Sequence, residues 1–481
     1  MRGRLVTLPV TPPLTPAVAF AMFLAAFLAV FLAPALLGAS AVHAATDESG
    51  AISALWSGPG LPALLARAVP RDPQVIAAQA TLAAARARYR QARSHLLPNA
   101  GIQATGGRGS DLDGAIPVDR RTEQVEASLR WNLYNGGADM AELQAGQREV
   151  AAAEVDVRRA SEESTARLAE TYFDAQRLER TLLLSRARLA EVGQLVGQMR
   201  RQADLGKASE LDYQLAQSSR LDAELIEDGL QADRAAAGIK LATQASETVG
   251  ELVDFEFGAL PGQGEDVAQH APLRAAQERA AAARLRVRNV ASATAPKVDF
   301  DVRRMLNNNT TPPASSIQQR GWSVGISWDF PLGGENLARR DETVSRADAA
   351  DAEVLRMEQG AHADLASLGP RIASAERALL LYDAQEKTMA LLVRGSAIQF
   401  EAGRRNLQQI IQTRDSYFLV QQRRIEQRHR LLLAQMQQRL LSGQLLPAFG
   451  MAQEVASIAA PAAAMTPGAA INPRLRANQP R

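Results

Sequence analysis

Five histidines are the first residues that could do chemistry: His43, His95, His270, His362 and His429. No two of them stand at a metal-ligand spacing, and no HExxH, nucleophile elbow or glycine-rich phosphate loop accompanies them. Cysteine is absent, which removes disulfides, thiolate nucleophiles, Cys-ligated metals and N-terminal lipid acylation. Carboxylates are abundant, yet they sit beside Arg at the spacings of solvated helix faces. No catalytic constellation, metal site or cofactor is expected, and the chain reads as a non-enzyme. What stands out instead are landmarks of pattern and not reactive groups: two short turns, Asp204-Leu205-Gly206-Lys207 and Glu401-Ala402-Gly403-Arg404, and the tryptophans Trp131, Trp322 and Trp328. A glycine inside a turn lets the backbone reverse with positive φ and lets a neighbour approach closely.

What must position those residues can be read from composition and pattern. The 481 residues carry 54 Lys+Arg against 52 Asp+Glu, and no basic run is interleaved with aromatics, so nucleic acid is not an expected partner. Hydrophobic residues reach 46%, but aromatics supply only 5%, which suits long, closely packed helices better than one large globular core. Arg2 and Arg4 precede an apolar run from Ala17 to Ala33, and Val42-His43-Ala44 offers a small-x-small cleavage pattern. Residues 1–44 therefore read as a secretory signal peptide. An uncleaved inner-membrane anchor is the rival reading, which Pro34 and the cleavage pattern disfavour.

A repeat organises the remainder. Ser128-Leu-Arg-Trp131-Asn-Leu-Tyr-Asn-Gly136-Gly137 is similar to Gly325-Ile-Ser-Trp328-Asp-Phe-Pro-Leu-Gly333-Gly334, with the tryptophans 197 positions apart (328 − 131). The turn glycines keep the same offset (403 − 206). The sequence predicts a first unit over 45–245, a linker over 246–268, a second unit over 269–445 and a disordered Ala/Pro-rich tail over 446–481. Each unit reads as a helix, two strands and two long helices. The first helices, Ala63–His95 and His270–Asn289, each lead into a proline.

After each proline the period becomes two, in hairpins over 99–134 and 297–332. Val125, Ala127, Leu129, Trp131 and Leu133 share one face, as do Trp322, Val324, Ile326, Trp328 and Phe330. One apolar and one polar face suits a membrane barrel, with Trp131, Trp322, Trp328 and Phe330 as an aromatic belt. A soluble sandwich with buried tryptophans would show the same alternation. The segments Arg108–Arg121 and Leu306–Arg320 read as exposed hairpin loops. Four strands cannot close a barrel, and lipid tolerates no open edge, so several protomers must share one; three would give twelve strands. From Gly137 to Gln202 no proline interrupts a heptad series through Leu168, Ala175, Leu182, Leu189 and Val196. Its phase slips relative to Leu143, Val150 and Val157, as in helices around a wide cylinder. In the second unit Gly369-Pro370 should break or kink the equivalent helix.

The duplication, the paired hairpins, the Trp-x-x-x-x-Gly-Gly run into a long helix and Phe400-Glu-Ala-Gly403-Arg404-Arg405-Asn406 resemble TolC-type outer-membrane exit proteins over residues 60–445. The resemblance implies an α+β membrane protein: a homotrimer whose twelve-stranded β-barrel, four strands per protomer, continues into a long periplasmic α-helical barrel. It implies an outer-membrane location extending into the periplasm, contact with outer-membrane lipid, and passive conduction. Expected partners are a periplasmic adaptor and an inner-membrane ABC transporter or proton-driven pump. Leu205, Gly206, Lys207, Ala402, Gly403 and Arg404 fall at the family's adaptor-docking turns. Gln409 and Gln412 stand where well-studied relatives carry acidic pore rings, so a weaker hold on cations is expected. Asp212 and Arg405 join them at the expected constriction. The Gln- and Arg-rich stretch Gln421–Arg439 favours the type I secretion branch, with drug efflux as the alternative. A pore-less periplasmic coiled-coil scaffold is the reading from another class.

Overall fold

A computed structural model describes residues 60–113, 116–247, 249–250, 252–258, 266–311, 320–329 and 332–451. The signal-peptide reading, Phe330 and the tail beyond Met451 lie outside the described residues. No helix among the described residues is long and apolar enough to cross a membrane.

In chain order the elements are α1 (Leu61–Ala68), α2 (Pro73–Ser94), β1 (Asn99–Asp113), β2 (Ile116–Asn135), α3 (Ala138–Asp204) and α4 (Glu210–Ala245). The second half repeats the plan with α5 (Ala271–Ala291), β3 (Lys297–Thr311), β4 (Arg320–Ser327), α6 (Glu335–Glu401) and α7 (Leu407–Leu441), and α8 (Leu445–Ala448) follows. α3 and α6 have the same length, 67 residues. At a rise of ~1.5 Å per residue each is on the order of 100 Å long. Each begins on a left-handed glycine, Gly137 at φ +85° and Gly334 at φ +76°. α3 is the central strut, lying against α2, α4, α5 and α7. Its heptad positions Leu168, Ala175, Leu182, Val192, Val196 and Met199 are buried.

The four strands form one antiparallel sheet in the order β1-β2-β3-β4. The register gathers the alternating sets into cross-strand rows: Leu129–Val302–Trp322, and Trp131–Phe300–Val324. The opposite face carries Arg130–Asp301–Ser323, where Arg130 and Asp301 form an ion pair at 3.1 Å. One face is therefore apolar and the other charged, as a stave between lipid and water requires.

Four expectations are corrected. The helix read over 63–95 is split by a 3₁₀ turn at Val69–Arg71, because Pro70 and Pro73 cannot donate to a continuous helix, and Asp72 caps the new start through the Gln74 N–H. The segments read as loops over 108–121 and 306–320 are strand wherever they are described, residues 114–115 and 312–319 lying outside the described residues. β1 runs to Asp113 and β2 starts at Ile116, while β3 runs to Thr311, because ladder pairing outweighs a turn-like composition. Pro370 does not break α6; the helix runs through it, short of the one bond that a proline cannot donate. The chain also stays packed past 446: Leu446, Phe449 and Met451 are buried in the central core, so these residues belong to the fold and not to a tail.

That core lies midway along α3. Leu61, Leu64 and Leu65 of α1 meet Tyr172 and Phe173 of α3, Leu241 of α4, Leu432 and Met436 of α7, and Leu445 of α8.

Candidate functional site

Both hairpin turns at the ends of the long helices are built alike. Gly206 and Gly403 each have φ +69°. In the first, the Gly206 N–H donates to Ala203 O at 2.9 Å and the Lys207 N–H to Gln202 O at 2.8 Å. In the second, Gly403 donates to Phe400 O at 2.9 Å and Arg404 to Gln399 O at 2.8 Å. This is the double-bonded left-handed helix ending, which satisfies carbonyls that a helix end leaves orphaned. Three residues on, each return helix receives a cap. Ser209 accepts from the Leu211 N–H, while Asp212 reaches back to the Ser209 N–H at 3.3 Å. Asn406 accepts from the Gln409 N–H at 3.0 Å.

The two turns lie at one end of the protomer, because the helices beneath them share an apolar cluster. Val192, Leu195, Val196 and Met199 of α3 meet Ala216 of α4 and Leu407 of α7, with Phe400, Tyr213 and Ile411 packed against them. Leu205, Lys207, Ala402 and Arg404 are all exposed, Leu205 to 70%. A Cβ built on Gly206 or Gly403 meets nothing within 4 Å. Both glycines are thus required by backbone conformation within the protomer, and the space above them is open.

Of the expected constriction residues, Gln409 and Gln412 are exposed in the protomer on the first turns of α7, while Arg405 and Asp212 are half-buried. Asp212 is already engaged by its capping bond. Higher up, the Arg188 guanidinium of α3 bonds Asp415 of α7 at 2.8 Å and lies 4.8 Å from the centre of the Phe418 ring. This cross-hairpin tie was not foreseen, since its partners are far apart in sequence.

The segment read as a linker contains a second unforeseen feature. Residues 252–258 strap α3 to α7 at the level of the central core. The Val253 carbonyl accepts from Tyr172 Oη at 2.8 Å and Gln176 Nε2 at 3.0 Å, and Asp254 pairs with Arg180. Glu256 pairs with Arg428 at 2.7 Å, and the buried Arg439 guanidinium stands 4.4 Å over Phe257 while donating to Gly258 O. Phe173, Phe255, Phe257 and Phe449 close an aromatic cluster around the strap, with neighbouring rings 5.0–6.1 Å apart. Burial pushes the Tyr172 phenol up to about 12, so it stays a donor to the strap.

At the other end of the helices stand the tryptophans. Trp131 and Trp322 lie on the apolar sheet face and Trp328 just beyond β4; all three are exposed in the protomer. No group of His, Asp or Glu among the described residues is arranged to hold a metal ion.

The sequence model of a family described as outer membrane efflux protein matches residues 64–245 and 265–444. No curated protein matches the chain significantly. Among solved structures the chain is similar to CusC, with a TM-score of 0.72 and 16% identity over 87% of this chain and 99% of that one. It is also similar to the CmeC outer membrane channel of Campylobacter jejuni, with a TM-score of 0.71 and 12% identity over 89% of this chain and 98% of that one. The open state of the Neisseria gonorrhoeae MtrE outer membrane channel gives a TM-score of 0.69 and 18% identity over 80% of this chain and 90% of that one. At such identities the likeness speaks for the fold, and the family match supplies the kinship. The chain belongs to the outer membrane efflux protein family: it is a passive outer-membrane channel subunit, not an enzyme, whose four strands enter a trimeric β-barrel and whose long helices continue it as an α-helical barrel into the periplasm.

Proposed function

We propose that this chain is the exit duct of a tripartite efflux assembly, receiving cargo from an inner-membrane pump, ABC-type or proton-driven, through a periplasmic adaptor that docks on the two glycine turns. The observation that carries the reading is the matched pair of turns: the same φ of +69° at Gly206 and Gly403, and open space above each. A partner that grips a threefold tip through repeated contacts needs equivalent, unobstructed sites, and Leu205, Lys207, Ala402 and Arg404 flank them. The apolar sheet face is the lipid-facing one, and Gln409, Gln412, Arg405 and Asp212 line the constriction below. Because Gln409 and Gln412 are neutral, the closed duct holds divalent cations weakly.

For cargo we favour small molecules over a secreted protein. The Gln- and Arg-rich composition of α7 was the reason to think of type I secretion. Gln421 bonds Glu386, Arg424 pairs with Asp383, and Arg428 pairs with Glu256, so these three residues of the stretch serve the protomer's own packing.

Because the chain lacks cysteine, Lys207→Cys and Arg404→Cys give single labelling sites. Crosslinking of both to an adaptor encoded beside the channel supports docking; adaptor that co-purifies yet crosslinks at neither position overturns it. A deletion strain that loses tolerance to small toxicants with an unchanged set of secreted proteins supports the cargo class. The reverse result restores type I secretion. Gln409→Asp with Gln412→Asp should strengthen cation block in planar bilayers; unchanged block removes both residues from the constriction.

A further inference from the structure

The sheet register ends in the same way at two places. β1 pairs with β2 down to Asn99 opposite Arg130, and β3 pairs with β4 down to Lys297 opposite Ser327. One step further, Trp131 faces Pro98 and Trp328 faces Pro296. Proline has no N–H to give, so the ladder cannot continue through either position.

At both places an indole makes the missing link. Trp131 Nε1 donates to Leu96 O at 3.1 Å, and Trp328 Nε1 donates to Thr294 O at 2.8 Å. Leu96 and Thr294 each lie two residues before their proline, in the turns that close α2 and α5. Carbonyls at the end of a helix lack an intrahelical donor, so an outside N–H is well used there. The second turn is held from another side too. Gly136, at the end of β2, lies so close that a Cβ built on it would be 2.6 Å from Ser292 O and from Ala295 Cβ. Trp322 differs from the other two. It sits within β4 opposite Val302, is 73% exposed, and its indole has no hydrogen-bond partner among the described residues.

We propose that Trp131 and Trp328 are matched latches, each bridging the gap a proline leaves in the ladder with an indole–carbonyl bond, and that together they fix the angle at which the strands leave the helices. Lipid anchoring then falls to Trp322. The aromatic residues of the apolar face thus divide into two trades, although sequence alternation places them in one row. The latch depends on neither the adaptor nor the cargo.

The test uses the full chain as assembled channel in nanodiscs, with Trp131→Phe, Trp328→Phe, the double variant and Trp322→Phe. Phenylalanine keeps an apolar ring and removes the donor, and Trp322→Phe controls for the smaller ring. Hydrogen exchange is followed at 99–102 and 297–299. Each single latch variant should speed exchange about fivefold at its own joint, the scale of one net hydrogen bond, and the double variant at both. Trp322→Phe should leave both joints unchanged. Unchanged exchange in both single variants, or an equal effect from Trp322→Phe, overturns the latch. A second readout reports depth in the bilayer: with Trp56 replaced by Phe, brominated lipids are presented to proteins that keep one of the three tryptophans, the other two being Phe. Stronger quenching of Trp322 than of Trp131 and Trp328 supports the division of roles, and equal quenching of all three refutes it.

Discussion

Replacing Gly136 by alanine adds one methyl group at the joint between β2 and α3, and the structure gives its cost in two parts. The residue has φ +59°, where an L side chain costs ~1–2 kcal/mol. The new Cβ would also stand 2.6 Å from the Ser292 carbonyl oxygen, a backbone atom in a turn that Trp328 holds in place. Overpacking of that kind costs ~1–3 kcal/mol, so the two together come to on the order of 3 kcal/mol. Two neighbours separate the parts. Gly137→Ala keeps the backbone penalty, at φ +85°, with nothing within 4 Å of its Cβ, and should lose only ~1 kcal/mol. Gly333→Ala, the repeat-related position, has neither penalty and should fall within ~0.5 kcal/mol of the parent. Urea unfolding in detergent micelles at one protein concentration, followed by far-ultraviolet circular dichroism, ranks the three. Coincident midpoints for Gly136→Ala and Gly137→Ala would refute the reasoning, since the Ser292–Ala295 turn would then be free to move aside.

The remaining predictions concern the strap, the tip and pH. Phe173→Ala removes a ring with 1% exposure from the strap cluster and should cost ~3–5 kcal/mol in the same assay; a loss below ~1 kcal/mol would mean that the strap is peripheral to stability. Gly206→Ala and Gly403→Ala, with equal φ and open space, should each raise local amide exchange at their turn by about tenfold, and clearly unequal effects would break the equivalence of the turns. Burial pushes the His429 imidazole below its usual 6.5, against the pull of Asp174 at 3.5 Å. The unfolded chain therefore binds more protons in the window beneath 6.5, so stability is complete above that pH and declines as pH falls through the window. His429→Gln should flatten much of that slope below about pH 6.5, leaving the part due to His270, which burial shifts the same way. An unaltered slope would assign the dependence elsewhere.

How far the sequence reveals this protein depends on whether an interaction is local. α3 and α6 announce themselves through heptads and the lack of breakers, and the glycine turns through a repeated offset, because helix ends are governed by residues a few positions apart. The strand faces are equally plain, since alternation is a nearest-neighbour property. The extent of the strands was not. Asp111 to Asp113 and Asn307 to Thr311 look like loop by composition, and only pairing with a partner strand makes them ladder. The strap was hidden for the same reason. Phe255 and Phe257 in a stretch of mixed polarity carry no local period, and their partners Phe173, Arg439 and Phe449 are distant in sequence. At the tip the sequence located the glycines and Asp212, but not that Asp212 is engaged as a helix cap or that Arg188 reaches Asp415.

The plain order β1-β2-β3-β4 leaves the outer rims of β1 and β4 without a neighbour among the described residues. A lone protomer in the periplasm thus presents two adhesive borders, one fifteen residues long and the other eight. Such borders recruit any extended segment they meet, correct or not. The barrel is therefore a product of encounter, and its yield is a race between orderly trimerisation and clumping, each of which accelerates as protomers accumulate. Resistance to heat should accordingly rise with the amount of protein present, and slow export of the subunit would protect it as much as any helper that shields its borders in transit.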